Sequence, residues 1–189
     1  MFTNPHKRGV RRVLAVGDIH GEIDRLNALL ASTAFASADA VVFLADYVDG
    51  KTETADSIAT INRLYDLAQA DKRVHFVKAN HEMGLIKFLR RFMAYNAGKT
   101  PVKPEVKKSQ IETLTRLAKL DEAQRTNTEG AKPFTDVVER LFSLYERSQD
   151  FLKIGRLFFA HGGYHPAMRR ACRREESIQL RPGVYTAAL

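Results

Sequence analysis

Cysteine is almost missing from this chain, tryptophan is missing altogether, and there is no long hydrophobic run. The one cysteine, Cys172, cannot form an intramolecular disulfide and suits a reducing compartment, so we expect a cytoplasmic protein. No apolar stretch approaches the ~18 residues of a membrane-spanning helix, so we expect no membrane partner. The chain has 189 residues, a length that fits a single domain with a hydrophobic core.

Acidic residues are also in short supply, with 22 against 30 lysines and arginines and a net charge of +8. Such an excess attracts anions, including nucleic acid and phosphorylated molecules. Basic residues are frequent in an N-terminal arm, residues 1–12, and in a C-terminal tail, residues 164–189. The arginine pairs of the tail have no aromatic residues between them, and no nucleic-acid motif is found. A nucleic-acid-binding module is therefore suggested by charge alone, and we do not expect nucleic acid as the partner.

The hydrophobic pattern predicts an α/β domain with a mostly parallel sheet. Three runs rich in apolar residues predict strands; they are 13–16, 40–44 and 74–77. The first two lack polar alternation, which is typical of parallel strands covered on both faces. A segment with apolar residues at helical spacing follows each run, and these segments are 22–30, 52–69 and 82–95. Three strand–loop–helix units imply parallel strands with right-handed crossovers. A helical segment, 96–150, and a hairpin around Gly155 complete the pattern.

Residues that can bind a metal ion follow four of the predicted strands. They are Asp18 and His20, Asp46, Asn80 and His81, and His161. The carboxyl ends of parallel strands form the edge at which α/β sheets bind their ligands. Carboxylate, imidazole and amide donors suit Mn²⁺, Fe or Zn²⁺ better than a metal that selects thiolates. The sequence therefore predicts a metal centre at this edge.

Four motifs in this chain resemble those of the calcineurin-like metallophosphoesterase family. They are Gly17-Asp18-Ile19-His20-Gly21, Asp46-Tyr47-Val48-Asp49, Asn80-His81-Glu82 and His161-Gly162-Gly163. Their order and strand-end positions look most like the protein serine/threonine phosphatase branch. The resemblance covers 13–95 and 151–165. It implies a layered α/β sandwich in which one domain, 1–189, contains 96–150 as a helical insert.

The resemblance implies a centre of two divalent metal ions, with manganese expected ahead of iron or zinc. Asp18 and His20 would bind the first ion, and Asp46 would bridge the two. Asn80 and His161 would bind the second. Water activated as hydroxide by two such ions can attack a phosphate ester near neutral pH.

The resemblance also implies a general acid. His81 would protonate the leaving alkoxide, and Asp49 would orient His81 and hold it charged. The expected function is thus a metal-dependent phosphoesterase, and a protein serine/threonine phosphatase in particular. The expected partner is a phosphorylated substrate, either a phosphoprotein or a small phosphoester.

The chain departs from the family pattern in the second and third motifs. Gly50 stands where the family has an arginine that binds the substrate phosphate, and Lys51 lacks its bidentate fork. The phosphate-binding residues are therefore unassigned. Ala45 and Ala79 replace glycines, which is tolerable where the backbone does not need a positive φ.

The C-terminal part departs as well. After His161 the only histidine is His165, where the family has a further metal-binding histidine and a second sheet. We expect the second sheet to be incomplete, and a homo-oligomer could cover the surface that this exposes. The alternative function is a catalytically degenerate relative that binds metal or a phosphorylated ligand without turnover.

Overall fold

Four short parallel strands form the central sheet in the computed structural model, which describes residues 10–126, 134–162 and 186–188. In spatial order they are β3 (Val74–Phe76), β2 (Ala40–Phe43), β1 (Val13–Val16) and β6 (Thr186–Ala188). The predicted α/β fold with a mostly parallel sheet is confirmed. Strand β6 belongs to the predicted basic tail and pairs with β1, which no pattern in the sequence predicted.

Six helices accompany the strands in the described residues. They are α1 (Ile23–Leu30), α2 (Thr33–Ser37), α3 (Ser57–Ala70), α4 (Asn80–Asn96), α5 (Ile111–Arg125) and α6 (Phe134–Arg147). The predicted start of α3 at residue 52 is wrong, because the carboxylate of Asp56 caps the helix by accepting the Ala59 amide at 2.9 Å. Thr52, at the predicted start, donates its hydroxyl to Glu22 at 2.6 Å.

Alternate residues of the strands pack on opposite faces of the sheet, as the pleat requires. Leu14 and Phe43 join the larger core, which α1, α3, α4, α5 and α6 cover. Val13 and Val42 join a smaller core on the other face, together with Ile154. The two cores explain why the strands read as continuous apolar runs.

The face opposite the helices is covered by the hairpin of β4 (Leu152–Ile154) and β5 (Leu157–Phe159). These strands are antiparallel and form a sheet of their own, separate from the parallel one. His161 follows β5, so this hairpin and not a strand of the central sheet carries it.

The predicted insert, 96–150, contains α5 and α6. Helix α6 packs against α3 and α4, and α5 packs against α3. At the other end of the chain, Val10 is buried and Asp39 accepts the amides of Arg11 and Arg12 at 2.8 and 2.9 Å. Residues 1–9 of the predicted arm, and His165 and Cys172, lie outside the described residues. The division into one domain with an arm, an insert and a tail stays a prediction.

Candidate metal centre

The seven residues predicted for the site lie together at the carboxyl edge of the parallel sheet. Asp18 and His20 follow β1, Asp46 and Asp49 follow β2, and the other three are Asn80, His81 and His161. The loops after β1 and β2 are bonded directly, since the amides of Ile19 and His20 donate to the carbonyl of Asp46 at 3.0 and 2.7 Å. Asn80 and His81 occupy the first turn of α4.

Asp46 stands at the centre of this arrangement. Its carboxylate belongs to two groups of donors, each with its ligand atoms within 4.8 Å of one another: His20–Asp46–His81 and Asp18–Asp46–His161. One carboxylate common to two groups is the arrangement that a bridging ligand requires. The grouping differs in two respects from the assignment that the family resemblance implies. Asp18 lies with His161 and not with His20, and His81, which was expected as the general acid, lies with His20 and Asp46.

Backbone carbonyls fix the two imidazoles that were predicted to bind metal. Nδ1 of His20 lies 3.0 Å from the carbonyl of Val48, and Nδ1 of His161 lies 2.8 Å from the carbonyl of Leu44. A carbonyl can only accept, so Nδ1 carries a proton in both rings, and Nε2 is the nitrogen left to coordinate. Metal-binding histidines commonly donate one ring N–H to a carbonyl or carboxylate in this way, while the other ring nitrogen coordinates the metal.

The amide side chain of Asn80 completes the second group. Nε2 of His161 lies 3.1 Å from Oδ1 of Asn80 and 3.3 Å from Oδ2 of Asp46. Three potential donor atoms thus converge where the resemblance implies the second ion. The donor set of carboxylate, imidazole and amide oxygen fits a divalent cation.

The backbone around Asp46 is left-handed at several positions. His20, Asp46 and Asp49 have φ values of 46°, 52° and 62°, and these residue types enter that region more readily than most. Ala45 has a φ of 68°, so its methyl group stands where the conformation favours glycine. We expected alanine to be tolerable where the backbone does not need a positive φ. Ala45 does not meet this condition, whereas Ala79, whose φ is −130°, does.

Glu82 fixes the loop that carries Asp46 through hydrogen bonds. The residue belongs to the motif Asn80-His81-Glu82, but the sequence did not indicate this role. It is fully buried, and its carboxylate accepts the amides of Asp46 and Tyr47 at 3.1 and 2.6 Å. Burial, with the nearby charge of Asp46, raises the pKa of Glu82 to about 7 against the two hydrogen bonds that lower it.

His81 and Asp49 form a close pair beside the metal ligands. Nδ1 of His81 lies 2.8 Å from Oδ2 of Asp49, and the His81 ring meets the His20 ring edge to face at 4.9 Å. Asp49 is buried, and its burial raises the pKa of the carboxyl even though hydrogen bonds from His81 and Thr113 act in the opposite direction. The pair has the geometry of an oriented general acid.

The first turn of α5, within the predicted insert, contacts the loop that carries Asp49. The hydroxyl of Thr113 lies 2.9 Å from the amide and 3.0 Å from Oδ1 of Asp49. The carboxylate of Glu112 accepts the amide of Gly50 at 3.2 Å. Neither residue was predicted for the site, because no local pattern in the sequence distinguishes them from other helix residues.

Gly50 stands at the position of the family's phosphate-binding arginine, and Lys51 follows it. A Cβ atom at Gly50 would overlap the side chain of Ala55, so the fold leaves no room for a side chain there. Lys51 reaches the site from the next position, with Nζ 3.1 Å from Nε2 of His20. It is the basic residue that stands closest to the predicted ligands along this loop.

The chain belongs to the calcineurin-like phosphoesterase family, whose sequence model matches residues 11–180. This range includes all seven predicted site residues and the helices of the insert. A search of curated proteins found no match. Membership indicates a metal-dependent phosphoesterase, and the donor groups around Asp46 supply a candidate site for the metal. No helix in the part of the chain that the structure describes is long and apolar enough to cross a bilayer.

Proposed function

We propose that this protein hydrolyses phosphate esters with two divalent metal ions, and that these ions are manganese. The observation that carries the proposal is the position of Asp46, whose carboxylate belongs to both donor groups. A hydrolase with two ions needs such a shared ligand, and a protein with a single structural ion does not. The hydrogen bond between His81 and Asp49 supports a proton donor beside the ions.

The chain's own residues would hold the ions in two sets. Following the family resemblance, Asp18, His20 and Asp46 would serve the first, and Asp46, Asn80 and His161 would serve the second. When bound, the two ions supply the Lewis acidity that polarises a phosphoryl group and activates water. The hydrogen bonds from Nδ1 of His20 and His161 support this assignment, because they leave Nε2 as the nitrogen that would coordinate. Lys51, whose Nζ lies 3.1 Å from Nε2 of His20, would have to move aside when the ion binds.

His81 would donate a proton to the leaving oxygen. Its Nδ1 is occupied by Asp49, so Nε2 is the atom that faces the substrate. The buried carboxylate stabilises the imidazolium that must form before the proton is given away. General-acid catalysis of this kind contributes about 10²–10⁴-fold to a rate.

The substrate class that we propose is a phosphorylated molecule with further negative charge beside the reacting phosphate. An open cavity of about 500 Å³ adjoins Asp49 and Lys51, and Lys108 lines its other side. The two carboxylates that also line it, Asp49 and Glu112, are both engaged in hydrogen bonds within the protein. The lining therefore carries two ammonium groups beside two carboxylates, and the ammonium groups of Lys51 and Lys108 are the ones that would bind an incoming anion.

Phosphoserine or phosphothreonine proteins remain our proposed physiological class, from the resemblance of the motifs to that branch. A phosphopeptide with acidic neighbours would satisfy the cavity, as would a small molecule with a second phosphate. Lys108→Ala should raise KM for such substrates and leave KM for p-nitrophenyl phosphate unchanged. Equal KM values for wild type and variant on the doubly charged substrate would contradict this role.

The second candidate function, metal or phospholigand binding without turnover, is favoured by one observation. The family's phosphate-binding arginine has no room at Gly50, so the clamp on the substrate is weaker here. Metal binding without hydrolysis above the background of the metal alone would support this candidate.

The test of the proposed function is hydrolysis of p-nitrophenyl phosphate with added Mn²⁺. Wild type should turn over, and His81→Ala should lose about 10²–10⁴-fold in kcat with its metal content unchanged. His75→Gln is the matched control, since it removes an imidazole from β3 without touching the site. Equal rates in wild type and His81→Ala would overturn the proposal.

A further inference from the structure

The hydroxyl of Thr113 is placed to hold Asp49 at two points. Thr113 is fully buried, and its Oγ1 accepts the amide of Asp49 at 2.9 Å. The one proton of this hydroxyl has two acceptors in reach, Oδ1 of Asp49 at 3.0 Å and Oε2 of Glu112 at 3.2 Å, and the shorter contact is the one to Asp49. Oδ2 of Asp49 lies 2.8 Å from Nδ1 of His81. One carboxylate oxygen is thus held by α5, and the other is presented to the imidazole.

The conformation of Asp49 makes such a hold necessary. Its φ of 62° is one that residues with a Cβ adopt at a cost, and its side chain is buried. A buried amide and a buried carboxylate oxygen each need a partner, and Thr113 supplies both. Without the hydroxyl, both groups lose the partner that fixes the direction of the side chain.

The first turn of α5 is itself anchored to the loop before α3. Glu112 accepts the amide and the hydroxyl of Ser57, and Arg116 binds Glu112 at 2.6 Å and Asp56 at 3.0 Å. Burial alone would raise the pKa of Glu112, but the hydrogen bonds from Ser57, the Gly50 amide and Arg116 outweigh it and lower the pKa. The anchor is therefore charged near neutral pH, and it fixes the position of Thr113.

We propose that Thr113 is a positioning residue for proton donation, which it serves by orienting Asp49 toward His81. The inference rests on the proposed phosphoesterase function and extends it to the helical insert. It makes α5 a supporting element of the active site in addition to a cover for the helical face. Thr113 does not touch substrate, so its effect must pass through Asp49.

The first experiment compares Thr113→Val, which removes the hydroxyl, with Thr113→Ser, which keeps it. A substrate with a poor leaving group, phenyl phosphate, needs the proton more than p-nitrophenyl phosphate does. Thr113→Val should lower kcat for phenyl phosphate by about 10-fold or more, as a fraction of the whole general-acid effect. The loss with p-nitrophenyl phosphate should be several-fold smaller, with KM unchanged for both, and Thr113→Ser should restore both rates.

The matched control is Thr60→Val in α3. Thr60 is equally buried and donates its hydroxyl to the backbone carbonyl of Asp56 at 2.8 Å, away from His81. It should lose stability like Thr113→Val without favouring one leaving group over the other. If Thr113→Val slows both substrates by the same factor, or behaves as Thr60→Val does, the positioning role is wrong.

A second readout needs neither metal nor turnover. The Nδ1 proton of His81, bonded to Asp49, should give a downfield NMR resonance in wild type and in Thr113→Ser. It should be lost or moved upfield in Thr113→Val, and an unchanged resonance would contradict the proposal. Failure of the proposed function looks different, because wild type itself would then hydrolyse neither substrate, and the positioning role would fall with it.

Discussion

The candidate site has a ligand side, formed by Asp18, His20, Asp46, Asn80 and His161, and an acid side, formed by His81 and Asp49. Different parts of the molecule hold the two sides in place. On the ligand side, backbone carbonyls at the strand ends fix the rings, as Leu44 does for His161 and Val48 for His20. On the acid side, a side chain from a distant helix holds the key group, since Thr113 of α5 binds Asp49. The geometry of the ligand side therefore depends on the loops that follow the sheet strands, and the geometry of the acid side depends on the helical insert.

This difference predicts that metal binding and proton donation can be impaired separately. Substitutions on the ligand side should change metal content and rate together. Substitutions on the acid side should change the rate alone. Asp46 is the exception, because its side chain belongs to both donor groups and also accepts the amide of His81 at 3.3 Å.

The largest effect is expected for Asp46→Asn, which removes the shared carboxylate. Loss of an outer-shell partner already costs about 10–100-fold in metal affinity or activity, so loss of this ligand should cost more than about 100-fold in both. Metal content after gel filtration and hydrolysis of p-nitrophenyl phosphate measure the two losses. Retention of two ions per chain would show that Asp46 is not the shared ligand, and circular dichroism checks that the variant is folded.

The next effect compares the two sides directly through His161→Gln and His81→Gln. The first should lose metal and activity together, because Nε2 of His161 lies among the donors of the second group. The second should keep its metal and lose about 10²–10⁴-fold in kcat. Metal titration with parallel kinetics measures both. Loss of metal in His81→Gln would place His81 among the ligands and break the division between the sides.

A smaller effect is expected on stability, through the buried carboxyl of Glu82. Its pKa is about 7 in the folded protein against an ordinary 4.5, so the folded state binds the proton more tightly. The contribution of Glu82 to the free energy of unfolding should therefore be largest below about pH 4.5 and fall by roughly 3 kcal/mol as the pH rises to about 7.

The measurement is urea unfolding of the metal-free protein across this pH range, with Glu82→Gln as the control. The difference between the two proteins isolates the titration of Glu82 from that of all other groups. A difference that stays constant with pH would contradict the raised pKa.

The smallest effect concerns the two alanines that replace family glycines. Ala45→Gly should raise the free energy of unfolding by about 1 kcal/mol, because it relieves a left-handed alanine. Ala79→Gly should lower it by about 0.5–1 kcal/mol, because φ there is ordinary and glycine only adds entropy to the unfolded chain. Thermal unfolding of both variants measures the contrast. Destabilisation by both would mean that Ala45 is not strained.

The ligand side could be predicted from the sequence, because parallel strands bring their carboxyl ends to one edge of the sheet. Asp18, Asp46 and Asn80 each follow an apolar run closely, so their convergence required only the order of the elements. The family motifs then gave the roles that we propose for them. The same logic found His161, although its strand belongs to the antiparallel hairpin and not to the parallel sheet.

The acid side could be predicted only in part. The pair of His81 and Asp49 lies within the motifs, but Thr113 becomes relevant only when α5 docks against the loop of Asp49. Contacts so distant in sequence leave no periodicity or local signature. The strain at Ala45 was equally hidden, since the sequence shows which residue is present but not its φ. Glu82 was visible in a motif, and only its burial revealed what it holds.

The central claim is that two ions share Asp46 and that hydrolysis depends on both. The most direct test titrates metal-free wild type with Mn²⁺ and measures bound metal and p-nitrophenyl phosphate hydrolysis in the same samples. We predict two ions per chain, with full turnover reached only as the second site fills. Binding of a single ion at saturation, or two bound ions without turnover above that of Mn²⁺ alone, would contradict the account.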